Sequence, residues 1–275
     1  SRGSSATRVN EKGLIEDVQI LSSNLVQNGD FEQIGSELVT NGNFDTDLNG
    51  WANYGGSLIT WESGGYAAVS NNSGYWCMIR QNNVFEIGKI YKITMIAKSS
   101  LANRNFHGSF FAGQSFSEVD TFQTFTQYFK ATGTDLNFGF SNVTGFGEVI
   151  MTIDNVSVKE VGQNWSFGTG WSIADGVVSL DAPTGNLDQS LITSSGSKYR
   201  VTFTISNYVS GDVRWRFTGT SNENGTLRSA NGTYTEEITL TNSQSVFRFP
   251  ATGGVMDIDN ISVIEITDDT DIPRI

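Results

Sequence analysis

Along much of the chain, apolar and polar residues alternate one for one. Tyr199, Val201, Phe203 and Ile205 interleave with Arg200, Thr202, Thr204 and Ser206, and Val213, Trp215 and Phe217 interleave with Arg214 and Arg216. A period of two sends successive side chains to opposite faces of an extended strand, so these runs predict strands with one buried face and one wet face. Further runs of this kind cover 89–97, 124–130, 136–140, 149–158, 236–240, 245–249 and 256–264, separated by turns rich in Gly, Asn and Ser. No segment carries a helical stripe. Half-buried antiparallel strands must close their apolar faces against a second sheet, which predicts sandwiches.

The chain also repeats itself. Ile153-Asp-Asn-Val-Ser-Val158 returns as Ile258-Asp-Asn-Ile-Ser-Val263, and Gly88-Lys-Ile-Tyr-Lys-Ile-Thr94 returns as Gly196-Ser-Lys-Tyr-Arg-Val-Thr202. Gln81 and Gln189 precede those glycines at the same distance, Gly50-Trp51 matches Gly170-Trp171, and Thr124-Phe-Thr126 matches Thr233-Tyr-Thr235. A repeat of this length means homologous modules in tandem. The expected organisation is an N-terminal arm (1–23), a first module (24–161), a second module (162–266) and a short acidic tail (267–275). The fold class is therefore all-β, two tandem antiparallel β-sandwich (jelly-roll) modules.

Composition narrows the function. The chain has 275 residues, 37% hydrophobic and 17% charged, enough for two packed cores and too apolar for disorder. No stretch is long and apolar enough for a membrane-spanning helix. A net charge of −12 argues against nucleic acid or an anionic membrane as the main partner. The single cysteine, Cys77, and single histidine, His107, exclude a disulfide framework, a cysteine zinc cluster and any two-histidine mechanism. No phosphate loop, nucleophile elbow or HExxH string occurs, so no enzymatic activity is expected. The start at Ser1 and the stop in Asp271-Ile-Pro-Arg-Ile275 suggest a segment joined to further domains.

Asn41-Gly-Asn-Phe-Asp45, Gly50-Trp51, Ser63-Gly-Gly-Tyr66, Gln81, Gly88-Lys-Ile-Tyr91 and Ile153-Asp-Asn-Val-Ser-Val158 together resemble the jelly-roll carbohydrate-binding modules of the xylan- and glucan-binding group. The second module is similar from Gly170 to Val263, with Asn164-Trp-Ser-Phe167 in place of the Asn-Gly-x-Phe-acid opening. The segments 1–15 and 271–275 resemble junctions in phage tail-fibre and related virion proteins. The resemblance implies polysaccharide binding without catalysis, at an extracellular or virion surface. The alternative is a structural spacer that binds no sugar.

The resemblance also implies a structural calcium where first and last strands meet. Asn43, Asp45, Gly64 and Asp154 are the candidate ligands in the first module, since calcium takes six to eight oxygens from carboxylates and carbonyls. In the second module Asp259 matches Asp154, but no acid matches Asp45. Saccharides call for exposed rings flanked by amide, guanidinium or hydroxyl groups. Trp76, Arg80, Gln81, His107 and Tyr128 are the candidates on a concave face, with Trp61 and Tyr66 at its rim; packing is the competing reading for each ring. In the second module Arg214, Arg216 and Arg248 share one face if their strands share a sheet, with Gln189 nearby. They suit an acidic glycan, or else pair across strands with Glu236, Glu237 or Asp212.

Overall fold

The computed structural model describes residues 7–9, 13, 15–17, 19–71, 76–103, 106–107, 110–111, 113–140, 145 and 147–268. The protein is all-β, with antiparallel sheets and no helix among the described residues. A hairpin of β1 (Thr7–Val9) and β2 (Ile15–Asp17) is followed by β3 (Gln19–Asn24). Next come β4 (Ile34–Glu37), β5 (Ala52–Tyr54), β6 (Leu58–Glu62), β7 (Tyr66–Ser70), β8 (Cys77–Gln81), β9 (Ile90–Ser99), β10 (Gln123–Lys130), β11 (Leu136–Phe140) and β12 (Ile150–Val161). The remainder holds β13 (Ser166–Phe167), β14 (Trp171–Ala174), β15 (Val177–Asp181), β16 (Leu187–Ser190), β17 (Lys198–Ser210), β18 (Arg216–Gly219), β19 (Asn222–Asn224), β20 (Gly232–Thr239), β21 (Gln244–Phe249) and β22 (Val255–Asp268).

These strands form two compact units whose boundaries differ from the sequence expectation. One is the continuous segment Ile34–Val161, here the inserted unit. The other joins Ser1–Gln33 to Gly162–Ile275 and is here the split unit. Residues 24–33, assigned by sequence to the first module, belong to the split unit because β3 pairs with β22 and Leu25 N–H donates to the Val263 carbonyl at 2.8 Å. The N-terminal arm is thus part of a sandwich from Gln19 onward.

Each unit has the same strand order. In the inserted unit the larger sheet runs β10-β9-β12-β7-β6, with β4 also on β12, and the smaller runs β11-β8-β5. In the split unit the larger sheet runs β20-β17-β22-β15-β14, with β3 also on β22. The smaller is β13-β16-β21, extended beyond β21 by β18 and β19. Alternation selects the buried faces, as predicted. Tyr91, Ile93, Met95 and Ala97 of β9 and Cys77 and Ile79 of β8 point into one core, and Tyr199, Val201, Phe203 and Ile205 of β17 into the other.

The equivalence shows why residues 24–33 fold where they do. Asn28-Gly-Asp-Phe-Glu32 and Asn41-Gly-Asn-Phe-Asp45 adopt the same backbone, with left-handed φ at Asn28, Phe31, Asn41 and Phe44. Each docks on a bulge in the last strand of its unit. Ile261 N–H donates to the Gly29 carbonyl, and Val156 N–H to that of Gly42, both at 2.8 Å. A Cβ on Gly29 would lie 2.0 Å from the Ile261 oxygen, and one on Gly42 would lie 2.0 Å from the Val156 oxygen, so only glycine fits. The split unit therefore does possess the Asn-Gly-x-Phe-acid opening, upstream of the insertion.

A second correction follows. Trp51 precedes β5 and donates its indole N–H to the Asn41 carbonyl; Trp165 precedes β13 and donates to that of Asn28, both at 3.0 Å. The counterpart of Trp51 is Trp165, not Trp171, whose indole donates to Gly185.

Candidate functional site

The outer face of the smaller sheet of the inserted unit gathers three of the predicted ligand residues. Cα partners across β5, β8 and β11 set two rows: Ala52, Arg80 and Asn137, and Tyr54, Met78 and Gly139. Trp76 lies just before β8 and packs edge-on against Tyr54, centroids 5.8 Å apart, and against His107 at 4.9 Å. His107 is held alongside β11 by its N–H bond to the Gly139 carbonyl at 2.8 Å. Gly55 makes room for the indole, since a Cβ there would meet the Trp76 ring at 2.3 Å. Met78 points away from the sandwich interior yet is fully buried. Arg80 Nε is shielded from solvent and has no hydrogen-bond partner among the described residues. The face thus offers rings, a guanidinium and the amide of Asn137. Tyr54 and Asn137 were not predicted; β5 is too short for periodicity to give its faces. Tyr75, which alternation with Cys77 and Ile79 assigns to the core side, lies outside the described residues.

Other candidates lie elsewhere. Gln81 is buried and clamps the backbone of Thr40, accepting its N–H at 2.8 Å and donating to its carbonyl at 2.9 Å. Gln189 clamps Gln27 in the same way, at 2.7 and 2.8 Å. Both amides are consumed in holding the first strand, so neither is available to a ligand. Tyr128 sits on the outer face of the larger sheet, opposite Lys92, whose Nζ is 5.3 Å from its ring centroid. Trp61 is 39% exposed and its indole donates to the Phe44 carbonyl at 2.7 Å, beside the opening turn and away from the Trp76 face. Tyr66 packs tilted against Phe122, centroids 5.4 Å apart, and lines a groove of about 600 Å³ on the larger sheet's outer face, with Thr60, Lys98, Glu148 and Thr152.

In the split unit the smaller sheet does bring the arginines together. Ser166, Asp188, Arg248, Arg216 and Asn224 are Cα partners in one continuous row across β13, β16, β21, β18 and β19. Arg214 lies two residues from Arg216 on the same face, with Trp215 buried between them. Arg248 forms a bidentate pair with Asp188 at 2.7 and 2.8 Å, which holds its guanidinium above its ordinary pKa. Arg216 donates through Nε to the Asn224 side-chain oxygen at 2.7 Å. Glu236 is taken by Arg228, and Glu237 by Lys198 and Arg200, so neither pairs with the arginine row.

The acids meet where the opening turn crosses the last strand. Burial, and then the charge of Asp45, push the Asp154 carboxyl up; the Asn155 N–H opposes them. Asn43 Nδ2 donates to Asp45, and a Cβ on Gly65 would lie 3.8 Å from the Asp45 Cα. Gly64, the predicted ligand, lies beside the Tyr66 ring, which a Cβ there would meet at 2.4 Å. In the split unit Asp259 is pushed up by burial, then by Asp30 and Glu32. Glu32 lies against Gly176 in the β14–β15 turn, as Asp45 lies near Gly65 in the β6–β7 turn. An acid does match Asp45 after all, and it is Glu32. Carboxylate oxygens brought together in this way are of the donor type that calcium takes, which needs six to eight of them. Among the described residues no group of three or more His, Cys, Asp or Glu is placed to hold a metal.

No protein-family model matches this chain, and no curated protein is similar to it in sequence. Among solved structures it is similar to the N-terminal CBM22-1–CBM22-2 tandem domain of Xyn10C from Paenibacillus barcinonensis. The TM-score is 0.36 and the identity 10%, over 84% of this chain and 98% of that one. No helix among the described residues is long and apolar enough to cross a membrane.

Proposed function

We propose that the chain binds polysaccharide without catalysis, through the outer face of the smaller sheet of the inserted unit. One observation carries this reading: Tyr54, Trp76 and His107 form a continuous patch of rings on the face that also bears Arg80, whose shielded Nε lacks a partner. Rings stack on sugar C–H faces, and a guanidinium donates to hydroxyl oxygens. An unpaired buried donor costs about 1–3 kcal/mol, which a bound hydroxyl would recover. Nucleophilic chemistry has little support, because burial pushes the Cys77 thiol up to about 12 and the lone His107 packs edge-on against Trp76. The setting would be the surface of a phage, such as a tail fibre, or of a bacterium; segments 1–15 and 271–275, which suggest it, lie mostly outside the described residues.

Calcium belongs to the same proposal. Asp45 and Asp154 would hold it in the inserted unit, and Glu32 and Asp259, with Asp30, in the split unit. Its charge would offset the burial first, and then the repulsion from neighbouring acids, that push Asp154 and Asp259 up. It would tie the opening turn to the last strand.

Affinity electrophoresis in gels of β-glucan, xylan or polyuronate, run with calcium and with EDTA, tests both parts. Retardation lost in Trp76→Ala supports the binding face, and a lower melting temperature in EDTA supports calcium. If folded protein migrates freely in every gel, the chain is a structural spacer.

A further inference from the structure

The smaller sheet of the split unit presents a different chemistry on the corresponding face. Its row of Ser166, Asp188, Arg248, Arg216 and Asn224 is polar from end to end and crosses five strands. At ordinary strand spacing this is about 19 Å. Three guanidiniums converge on it in a protein of net charge −12. Among the described residues only Arg248 of the three has a carboxylate partner, Asp188. Arg216 spends its Nε on a neutral amide, and its terminal nitrogens have no partner among the described residues. The Arg216 guanidinium is pulled below its ordinary range by burial first, then by Arg214 and Arg248. Partly shielded cations held side by side repel one another, and a bound anion would remove that repulsion.

We propose that the Arg214–Arg216–Arg248 face of the split unit binds the carboxylates of an acidic polysaccharide, a uronate-type glycan. The outward fork of Arg216 takes a carboxylate bidentately, and Arg214 contributes a second cation beside it. Arg248, already turned to Asp188, holds the row in place. The Asn224 and Ser166 side chains at the two ends serve sugar hydroxyls. A glycan suits the row better than an acidic peptide, since the row has hydrogen-bonding groups from Ser166 to Asn224 throughout. The inference names the ligand class of the second unit, and it builds on the reading that the chain binds polysaccharide.

The test is affinity electrophoresis of the full chain in polygalacturonate, in the same polymer with its carboxyls reduced to alcohols, in dextran sulfate and in polyglutamate. Arg216→Gln, Arg214→Gln and Arg228→Gln are compared, the last a control that removes the same charge from the Arg228–Glu236 pair. Circular dichroism and melting temperature show which variants are folded. The expected result is retardation by polygalacturonate, lost on carboxyl reduction. It weakens about tenfold in Arg216→Gln and less in Arg214→Gln, and hardly at all in Arg228→Gln. Three results would each overturn the proposal: equal retardation by the reduced polymer, equal retardation by dextran sulfate or polyglutamate, or equal weakening by Arg228→Gln. Retention on neutral glucan that depends on Trp76 without retention on polygalacturonate sinks this proposal and leaves the Trp76 face standing. The reverse pattern sinks the Trp76 face alone. If Arg216→Gln does not fold, Arg214→Gln carries the comparison.

Discussion

The two smaller sheets have one frame and two chemistries. Register aligns Ala52 with Ser166, Arg80 with Asp188 and Asn137 with Arg248, and the clamps Gln81–Thr40 and Gln189–Gln27 fix both frames identically. On that shared lattice the inserted unit places rings beside one arginine, whereas the split unit places three arginines and an aspartate. Two residues farther along, Tyr54, Met78 and Gly139 face the counterparts Gly168, Asn186 and Pro250, so the second face lacks the ring platform. The inward positions keep the fold, and the outward ones are free to diverge.

The larger sheets repeat the lesson on a smaller scale. Lys92 and Arg200 hold equivalent positions, but the first lies over the Tyr128 ring while the second pairs with Glu237 at 2.7 Å. Tyr128 is thus one half of a local cross-strand pair, on a different sheet from Trp76, Arg80 and His107.

The sharpest way to break the comparison is to remove the shared clamps. Gln81→Ala and Gln189→Ala each remove two bonds to the first strand and empty the buried space the glutamine filled, and each should cost about 2–3 kcal/mol in denaturant titrations. Markedly unequal losses would show that the frames are not equivalent. Next comes Trp76→Ala, which should cost about 1–2 kcal/mol of stability, because the indole is only half buried, while abolishing retardation by neutral glycan. A larger stability loss would make Trp76 part of the core.

Asp188→Asn should cost about 1 kcal/mol, since its pair with Arg248 is partly exposed, yet it should strengthen retention on polygalacturonate severalfold by freeing a third guanidinium. Weaker retention would mean that Arg248 must be held by Asp188 to serve. The smallest effect is expected at Glu237, whose carboxyl is held low by Lys198 and then Arg200. A lowered folded-state value stabilises the protein above the unfolded carboxylate pKa, about 4.3, and the gain fades as pH falls through the folded value. Glu237→Gln should therefore cost about 0.5 kcal/mol at pH 7 and nothing near pH 2, as read from urea midpoints across that range.

Strands and their buried faces were legible because alternation is a local signal, and the repeats at Gly88, Gly196, Ile153 and Ile258 announced two like modules. The nesting was not legible. The opening of the split unit, Asn28–Glu32, sits beside the near-identical Asn41–Asp45 and far in sequence from its partner Ile261, so adjacency suggested that both belonged together. The pairing of β3 with β22 and the bonds of Gly29 to Ile261 and Asn28 to Trp165, all far apart in sequence, assign it. The same gap hid Glu32 as the acid facing Asp259 and led Gly170-Trp171 to be matched with Gly50-Trp51. At Gln81 and Gln189, a polar residue at a strand end reads as outward-facing, and the buried backbone clamp that claims it is a tertiary fact. The arginine row was foreseen because two strand runs carried three arginines in the outward phase, Arg214 and Arg216 on one and Arg248 on the other. Its partners Asp188 and Asn224 lie on strands too short to show a phase.

The nested order of the strands also sets a timetable for synthesis. Ile34 and Val161 are Cα partners, so the inserted unit enters and leaves at neighbouring strands and holds all its pairing partners once residue 161 has emerged. The split unit must wait with β3 and its opening turn unmatched for more than two hundred residues, until β22 leaves the ribosome. That delay is a long loop to close and a slow, non-local step, and it exposes the edge of a sheet meanwhile. A nascent chain halted between the two points would carry one finished sandwich behind a waiting strand.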